Sequence, residues 1–351
     1  MLKTSALAFI ALLLASCSNS ETGLRRADPA STMTIAFYNV ENLFDAVDDP
    51  TNPGDDEFLP KGKLGWTQDR LDKKLEDIAR VIRSMDEYGG ADIVGVCEVE
   101  NRAVLDRLVN EFLPKDQYAF VHEDSEDERG IDVALLYRPR AAKFVGHTLH
   151  RVNLGDDKTR GILEATFVRD GHQFRVLVNH WPSRTGGQEQ SEPKRIAAAR
   201  TASRVIDSLY ERDPAADIIM MGDMNDEPSD RSLFETLNAR EMTDATFDSR
   251  MINLASAVQR VDTIGSYLYK GKWETIDHIM LSRGALDDKG ITLLDATQTV
   301  FTPEFIRDTK ADAKKRPGYR TYKGNQYIGG VSDHFPVIAR VGWMRRNPNG
   351  E

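Results

Sequence analysis

The sequence predicts a layered α/β domain built on mixed β-sheets. From about residue 32 onward, short β-rich runs alternate with segments of helical pattern. Two pairs of runs are joined by turn sequences typical of hairpins, Arg169-Asp170-Gly171-His172 and Lys270-Gly271-Lys272. Hairpins pair strands antiparallel and helical crossovers pair them parallel, so both kinds of pairing are expected. Because no linker interrupts residues 32–343, we expect a single domain.

The first part of the domain is predicted to hold two helices between strands. Thr67 can cap a helix whose apolar residues recur at helical spacing, and Asn101–Phe112 forms a second, shorter helix. A long loop rich in Asp, Pro and Gly, Asp45–Gly65, precedes the first helix. Apolar runs of strand length lie at Met33–Tyr38, Ala91–Val96 and Ile131–Tyr137.

The second part combines more strands with one long helix. The helix is predicted at Pro193–Tyr210, and a helical turn at Ser232–Asn238. Each of the two hairpin turns joins two of the strands as antiparallel neighbours. Strands are predicted at Ile162–Val168, Phe174–Asn179, Asp217–Met221, Tyr267–Tyr269, Trp273–Leu281 and Val337–Val341.

The N-terminus has the pattern of a targeting segment. One Lys precedes an apolar run, Ala6–Ala15, which is too short to span a bilayer well. The sequence Leu14-Ala15-Ser16-Cys17 resembles a bacterial lipobox, which implies cleavage before Cys17 and its diacylation; the alternative is an ordinary secretory signal with a chance Cys. We expect a lipoprotein signal peptide (1–16), a flexible tether (17–31), the domain (32–343) and a tail (344–351). The mature protein would then be extracytoplasmic and held at a membrane, at the periplasm or cell surface.

Composition excludes several classes of protein. The chain has 351 residues, 46 Lys and Arg, 56 Asp and Glu, and two Cys. Two Cys are too few for a disulfide scaffold, and only the N-terminal apolar run is long enough to consider as a membrane segment. The net charge of −10 means that an anionic substrate must be attracted by a metal or by local basic loops.

Polar residues recur where the predicted strands end or begin. Carboxylate and amide oxygens, without His-x-x-x-His or Cys-x-x-Cys spacing, favour Mg²⁺, Mn²⁺ or Ca²⁺ over zinc. Histidines beside carboxylates suit proton transfer and the binding of phosphoryl oxygens. Together these residue types predict metal-assisted hydrolysis of a phosphate ester. The strand-end residues are Asn39, Glu98, His180, Asp223, Asp277 and His334.

Seven short motifs surround these residues between positions 33 and 341: Phe37-Tyr38-Asn39-Val40, Val96-Cys97-Glu98-Val99, Asp132-Val133-Ala134-Leu135-Leu136-Tyr137-Arg138, Val178-Asn179-His180, Met221-Gly222-Asp223-Met224-Asn225, Ile276-Asp277-His278-Ile279 and Ser332-Asp333-His334-Phe335-Pro336. Their types and order resemble the endonuclease/exonuclease/phosphatase (DNase I-like) superfamily. That superfamily includes pancreatic-type deoxyribonucleases, apurinic endonucleases, neutral sphingomyelinases and inositol-polyphosphate 5-phosphatases. The resemblance implies a four-layer α/β sandwich, in which two mixed sheets are flanked by helices and the site lies at one end.

The resemblance also implies which residues bind a metal. Glu98 would be the main metal carboxylate, and Asp333 would help to bind a metal. Asn39 would support the metal or bind a phosphate oxygen. The implied cofactor is Mg²⁺, or Mn²⁺ or Ca²⁺ in its place. For the neighbouring Glu41 we expect local hydrogen bonding rather than direct ligation.

Catalytic roles follow from the same resemblance. Asp223 would orient or deprotonate the attacking water, and Asn225 would hydrogen-bond the phosphate. His334 would contact the scissile phosphate or protonate the leaving oxygen, with Asp277 fixing its tautomer. His180 matches a position where nucleases and sphingomyelinases of the family carry a catalytic His.

Basic residues are candidates for binding the substrate. Arg138 is a candidate phosphate contact. Arg184 and Arg195 belong to a basic, Gly-containing segment after His180 that could embrace an anion. Lys310–Lys323 is basic and contains two Tyr, a pattern used to hold nucleic-acid backbones, although an ordinary surface loop would have the same composition.

These observations predict a divalent-metal-dependent phosphodiesterase, foremost a nuclease that hydrolyses DNA or RNA and acts as a monomer. A phosphatase or phosphodiesterase acting on inositol phosphates, nucleotides or phospholipid head groups is the second hypothesis. A non-catalytic surface-binding lipoprotein that kept the fold is the third. The complete set of acidic residues and histidines favours an enzyme.

Overall fold

The structure, a computed structural model, describes residues 32–113, 117–245, 248–287 and 289–344. The predicted signal peptide, Cys17, the tether and positions 345–351 of the predicted tail lie outside the described residues. Over the described ranges, no helix combines the length and apolarity needed to cross a membrane.

The domain contains eighteen strands and four α-helices in the described ranges. The helices are α1 (Gln68–Ser84), α2 (Arg102–Arg107), α3 (Gln188–Arg212) and α4 (Ser256–Gln259). The first nine strands are β1 (Thr32–Leu43), β2 (Ile93–Val99), β3 (Ala119–His122), β4 (Asp132–Tyr137), β5 (Lys143–His150), β6 (Ile162–Arg169), β7 (His172–His180), β8 (Asp217–Asp223) and β9 (Ala239–Arg240). The others are β10 (Met251–Asn253), β11 (Tyr267–Tyr269), β12 (Lys272–Glu274), β13 (Asp277–Ser282), β14 (Gly290–Leu293), β15 (Thr299–Val300), β16 (Tyr322–Lys323), β17 (Gln326–Tyr327) and β18 (Val337–Met344).

The strands form two mixed seven-stranded sheets and two small hairpins. The first sheet has the order β14-β18-β1-β2-β4-β3, with β15 also paired to β18, and the second has the order β5-β6-β7-β8-β13-β10-β9. In the first sheet β1 is parallel to β2 and antiparallel to β18, and in the second β7 is parallel to β8. The mixed pairing predicted from the hairpins and helices is therefore confirmed.

Alternate residues of the second sheet face different layers. Leu177, Met220 and Met280 share a buried cluster with the apolar face of α3. Their chain neighbours, such as Val178 and Met221, belong to the core between the two sheets. This alternation follows from the period of two along a strand.

Helix α1 packs its predicted apolar face into the same core as the first sheet. With α3 on the second sheet, the layers are helix, sheet, sheet and helix, which confirms the four-layer sandwich. The two sheets approach closely at Gly95, where a Cβ atom would lie 2.6 Å from the Met221 sulfur.

Candidate active site

Three of the predicted site residues lie side by side at one end of the second sheet. His180 ends β7 and pairs in register with Asp223, which ends the parallel strand β8. Asp223 in turn pairs with Asp277, the first residue of the antiparallel strand β13. Because the strand register fixes all three positions, the sequence places His180, Asp223 and Asp277 at one edge through ordinary sheet pairing.

The first sheet and the last loop complete the group. Asn39 on β1 and Glu98 on β2 come from the first sheet. His334 lies in the loop before β18, and Ser332 anchors this loop by donating from Oγ to the Asn39 carbonyl at 2.7 Å. The candidate site therefore contains residues from both sheets.

Asp223 is buried at the centre of this group. Its Oδ1 accepts a hydrogen bond from the Asn225 backbone N–H at 2.9 Å, and its Oδ2 accepts one from Asn39 Nδ2 at 3.0 Å. The same Oδ2 lies 3.9 Å from Nε2 of His180 and 3.9 Å from Nε2 of His334. Burial, together with a neighbouring carboxylate, raises the pKa of Asp223 to about 7. Asp223 can therefore accept a proton near neutral pH.

His334 is oriented from several sides. Its Nδ1 lies 2.8 Å from Asp277 Oδ2, and the Tyr267 ring stacks on the imidazole with ring centroids 4.6 Å apart. Burial by itself lowers the pKa of His334, but the charge and hydrogen bond of Asp277 outweigh burial and raise this pKa well above its usual value. Asp277 accepts a hydrogen bond from Nδ1, and the other ring nitrogen, Nε2, lies 3.9 Å from Asp223 Oδ2.

His180 has the opposite electrostatic setting. It is buried, and burial with the positive charges of Arg160 and Arg129 lowers its pKa well below the usual value. Its Nε2 lies 3.9 Å from Glu98 Oε1, and its Nδ1 has no hydrogen-bond partner among the described residues. The environments of the two imidazoles beside Asp223 therefore act in opposite directions: the pKa of His180 is lowered and that of His334 is raised.

Glu98 adopts a strained backbone conformation that points its carboxylate into the site. Its φ of 62° lies in the left-handed region, which is uncommon for a non-glycine residue. Its Oε2 accepts from the Asn42 backbone N–H at 2.9 Å, and its Oε1 accepts from Asn39 Nδ2 at 3.3 Å. Asn39 Oδ1 is engaged by the Glu41 backbone N–H at 3.0 Å. Asn39 thus contacts the Glu98 and Asp223 carboxylates through its amide nitrogen, while its oxygen accepts a hydrogen bond from Glu41.

Asp333 and Glu41 are two further carboxylates of the candidate site, and their charges interact. Asp333 Oδ2 lies 2.5 Å from a guanidinium nitrogen of Arg320. Glu41 is bound by the Thr321 backbone N–H at 2.7 Å, and burial, followed by the charge of Asp333, raises its pKa to about 7. The expectation of local hydrogen bonding for Glu41 agrees with the Thr321 contact. The structure adds its electrostatic coupling to Asp333.

The donor set fits a hard divalent cation. Asp223 and Asp277 place carboxylate oxygens within 4.8 Å of each other and of an imidazole nitrogen of His334, whose raised pKa suits it to donate a proton rather than to bind a metal. Asp277 Oδ1 is buried without a hydrogen-bond partner in the described part of the chain, and the nearby carboxylates of Glu98 and Asp333 add negative charge. All the neighbouring donors are oxygens or imidazole nitrogens, as Mg²⁺, Mn²⁺ and Ca²⁺ prefer.

Arg138 lies away from this group, so its prediction as a phosphate contact is corrected. It follows β4, whose last residue, Tyr137, pairs with Ile93 at the start of β2, whereas Glu98 is near the end of β2. The side chain is buried, with one guanidinium nitrogen 2.5 Å from the Gly89 carbonyl. Arg138 therefore stabilises the opposite end of the sheet.

Arg184 lies beside the site but has its guanidinium occupied. Its Nε donates to the Asn225 carbonyl at 2.7 Å, and its other nitrogens lie 3.1 Å from Glu274 and 3.1 Å from Asp230. Arg184 therefore holds the turn that carries Asn225, and its contact with a substrate stays a prediction. The amide of Asn225 itself donates to the Trp181 carbonyl at 3.0 Å.

Arg195 is likewise structural. It is completely buried in α3, and its Nε lies 2.7 Å from Asp226 Oδ1. The sequence pattern of α3 could not show that Arg195 is buried. Its carboxylate partner, Asp226, lies about thirty residues further along the chain, outside the helix.

Two cations that the sequence motifs did not single out lie near the site. Arg129 is about half exposed, with a guanidinium nitrogen 2.6 Å from Asn42 Oδ1 and 3.8 Å from Glu98 Oε2. Arg160 is buried and donates to the Trp181 carbonyl at 3.0 Å. No motif marks either residue, since only the folding of their loops brings them towards His180.

An aromatic hairpin, β11–β12 with its turn, extends from His334 to the surface. Tyr267 stacks on Tyr269 with centroids 6.4 Å apart, and Tyr269 is 47% exposed. Lys270 lies over the Tyr269 ring at 5.0 Å. Lys315 donates to the carbonyl of the turn residue Gly271 at 2.6 Å, which joins the hairpin to the predicted basic segment. A line of aromatic and cationic groups therefore leads outward from the catalytic group.

Comparisons with known proteins match most of the chain. The model of the Endonuclease/Exonuclease/phosphatase family matches residues 34–342. A comparison with curated proteins finds no match.

Solved structures resemble the fold over almost its whole length. Humanized D. rerio TDP2, carrying 14 mutations, has a TM-score of 0.56 at 13% identity, covering 89% of this chain and 99% of its own. Mannosyl-6-phosphatase of Bacteroides thetaiotaomicron has a TM-score of 0.54 at 17% identity, with coverages of 89% and 99%. The human Nocturnin catalytic domain has a TM-score of 0.52 at 14% identity, with coverages of 90% and 95%. At these identities the likeness concerns the fold.

Proposed function

Because this chain belongs to the endonuclease/exonuclease/phosphatase family, a family of metal-dependent phosphoric ester hydrolases, we propose that it is a phosphodiesterase that cleaves nucleic acid. The observation that carries the proposal is Asp223 Oδ2, which lies 3.9 Å from each of two imidazoles of opposite pKa shift. Asp223 can serve as a base and His334 as a proton donor for a phosphate bound between the two imidazoles.

The residues act by proton transfer and by charge. Asp223, ionised above its pKa of about 7, orients the attacking water and takes its proton. His334, kept cationic by Asp277, donates a hydrogen bond or proton from Nε2 to a phosphoryl or leaving oxygen. Neutral His180 contacts a phosphoryl oxygen from the other side. A divalent cation held by the Glu98 and Asp333 carboxylates would neutralise charge on the phosphoryl oxygens.

The aromatic hairpin supports nucleic acid as the substrate. Tyr269 presents an exposed ring on which a base can stack, and Lys270 and Lys315 flank it with positive charge. One solved relative, D. rerio TDP2, is described in complex with a single-strand DNA product, at 14% identity and a TM-score of 0.56. We infer that a single strand passes over the hairpin towards His334.

A phosphomonoesterase is the second candidate. The acidic segment Glu123–Glu128 and the net charge of −10 oppose a long polyanion. The mannosyl-6-phosphatase among the structural relatives acts, by its description, on a small phosphate ester. A small substrate would need only the space between the two imidazoles.

The test is a panel of substrates with Mg²⁺ or EDTA. Plasmid, single-stranded DNA and RNA are compared with bis-p-nitrophenyl phosphate, sugar phosphates and inositol phosphates. We expect cleavage of nucleic acid and of the model diester, abolished by EDTA. Rapid release of phosphate from monoesters without nucleic-acid cleavage would contradict the nuclease proposal. A failure to hydrolyse any substrate would favour the binding-protein hypothesis.

We further propose that the enzyme acts outside the cytoplasm on a lipid anchor at Cys17. The apolar segment and the sequence Leu14-Ala15-Ser16-Cys17 support this location. We expect the wild-type protein in the membrane fraction and the Cys17→Ser variant in the soluble fraction. If Cys17→Ser remained in membranes to the same extent, lipidation would be refuted.

A further inference from the structure

A second group of carboxylates lies in the long loop between β1 and α1. Asp48, Asp55 and Asp56 each place an oxygen within 4.8 Å of those of the other two. The nearby Lys63 is paired with Glu57 instead, and none of the three Asp side chains forms an ion pair within the described residues. Three carboxylates are thus held together without a protein cation.

Asp55 is the member of this group that points to a ligand. Its side chain is 1% exposed, although the loop lies at the surface. Oδ2 accepts a hydrogen bond from the Asp49 backbone N–H at 2.9 Å, whereas Oδ1 is sealed from solvent and has no hydrogen-bond partner in the part of the chain described. Buried carboxylate oxygens are ordinarily hydrogen-bonded or bound to a metal. Burial, with the adjacent carboxylates, also raises the pKa of Asp55.

We propose that Asp48, Asp55 and Asp56 bind a calcium ion at a site separate from the active site. Calcium binds oxygens at about 2.3–2.6 Å, so two oxygens on one ion can lie up to about 5 Å apart, which accommodates the observed spacing. Asp48 and Asp56 are exposed, so water can complete the six to eight ligands that calcium takes. Mg²⁺ requires a tighter, near-octahedral arrangement that a loop of this kind satisfies less well.

The calcium site lies in a loop that supports the active-site wall. A Cβ on Gly54 would lie 2.5 Å from the Arg129 carbonyl, and one on Gly130 would lie 1.7 Å from Asn52 Nδ2. The loop therefore packs directly on the turn that carries Arg129, with no room for a side chain between them. Arg129 in turn lies 3.8 Å from Glu98. Bound calcium would order the loop, and the loop would hold Arg129 in place.

The test measures thermal unfolding of the full-length protein in EDTA and in Ca²⁺. It is done in a Glu98→Gln background, where the active site has lost its main carboxylate, so a response to Ca²⁺ reports the loop. We expect saturating Ca²⁺ to raise the Tm by about 5 °C. Adding Asp55→Asn or Asp56→Asn should abolish the rise. The control is Asp262→Asn, which alters an exposed Asp elsewhere and should keep the full rise.

The two conditions give opposite expectations for the loop variants. In EDTA, Asp55→Asn should unfold at or above the temperature of its parent, because one of three repelling charges is gone. In Ca²⁺ it should unfold below its parent. The proposal is overturned if Ca²⁺ leaves the Tm of the Glu98→Gln protein unchanged, or if both loop variants retain the rise. An equal rise with Mg²⁺ alone would overturn the assignment to calcium. Exposed Asp56 provides the variant that folds if Asp55→Asn does not.

Discussion

Two adjacent carboxylates, Asp223 and Asp277, are suited to different tasks: Asp223 to accepting a proton and Asp277 to holding His334. Asp223 and Asp277 are neighbours across β8 and β13, and burial with the charge of Asp277 raises the pKa of Asp223 to about 7. Asp277 instead orients His334 and maintains its positive charge. The pair therefore provides a base and a fixed counter-charge, one on each side of the imidazole.

Replacing Asp223 with Asn should remove the base while preserving the fold. We expect kcat on bis-p-nitrophenyl phosphate to fall about 10²–10⁴-fold, the range typical of general acid–base groups. The Tm should not fall, because a buried carboxylate with a raised pKa is replaced by a neutral side chain. Asp170→Asn, in the β6–β7 turn, is the control and should leave kcat unchanged. Wild-type activity in Asp223→Asn would contradict the assignment of the base.

Replacing Asp277 with Asn should move the pH profile. His334 loses the charge and hydrogen bond that raise its pKa, so the alkaline limb of kcat/KM should shift to lower pH. Asp223 loses a like charge, so its pKa falls and the acid limb should shift to lower pH as well. The measurement is kcat/KM from pH 5 to 10. A lower rate with both limbs unmoved would mean that Asp277 has only a structural role.

The sequence identified the residues of the site better than it identified their orientation. The neighbouring positions of Asp277 and His334 follow from motifs at strand ends. The direction of the Asn39 amide and the burial of Arg138 could not be predicted, because both depend on partners from other strands. Arg129 and Arg160 lie in loops whose sequences carry no periodic pattern, so their approach to His180 is a tertiary effect.

At the scale of elements, the aromatic hairpin is the part of the structure most suited to recognise a large substrate. Tyr269→Ala should raise KM for single-stranded DNA about 5- to 150-fold, since stacking of a base on an aromatic ring contributes roughly 1–3 kcal/mol. The kcat for bis-p-nitrophenyl phosphate, which has no strand to extend along the hairpin to Tyr269, should be unchanged. Tyr88→Ala, at a 72% exposed Tyr elsewhere, is the matched control. Equal KM values for DNA in both variants would exclude stacking on Tyr269.

Helix α3 depends on a buried ion pair. Arg195→Met would remove the closer of two cations from the buried Asp226 carboxylate and leave only Arg184, at 3.7 Å. We expect a loss of about 3 kcal/mol in the free energy of unfolding. The measurement is urea unfolding followed by circular dichroism. Adding Asp226→Asn should restore part of the loss, because the uncompensated charge is then removed. A loss below about 1 kcal/mol for Arg195→Met would show that Asp226 is not desolvated as the structure indicates.

Elements with strong periodicity were predicted well, and those shaped by tertiary contacts were not. The first helix and the strands Asp217–Met221 and Ile131–Tyr137 agree with α1, β8 and β4 within a few residues. The predicted strand Trp273–Leu281 is divided into β12 and β13, which belong to different sheets. Strand β5 was not predicted, because its edge position leaves its residues largely exposed and polar.

At the scale of the whole molecule, buried carboxylates should make stability depend on pH. Burial raises the pKa of Glu100 from 4.5 to about 8 and that of Asp217 from 3.8 to about 8. Between the ordinary and the raised pKa of each group, the carboxyl is protonated in the folded protein and ionised in the unfolded protein. The free energy of unfolding therefore falls as pH rises towards about 8. We expect a lower Tm at pH 9 than at pH 6 in EDTA. The double variant Glu100→Gln, Asp217→Asn should reduce this difference, and an unchanged difference would show that other groups cause it.

The order of the sheets along the chain determines when the enzyme can first act during its synthesis. The chain builds β1–β4 of the first sheet, then the second sheet, and returns to the first with β14, β15 and β18. Asp333 and His334 enter the site only on that return, next to β18, which pairs with β1, β14 and β15. A nascent chain that has not passed residue 334 lacks the proton donor and a central strand of its first sheet. Any phosphoric ester hydrolase activity is therefore withheld until residue 334 has been added and β18 has paired with β1.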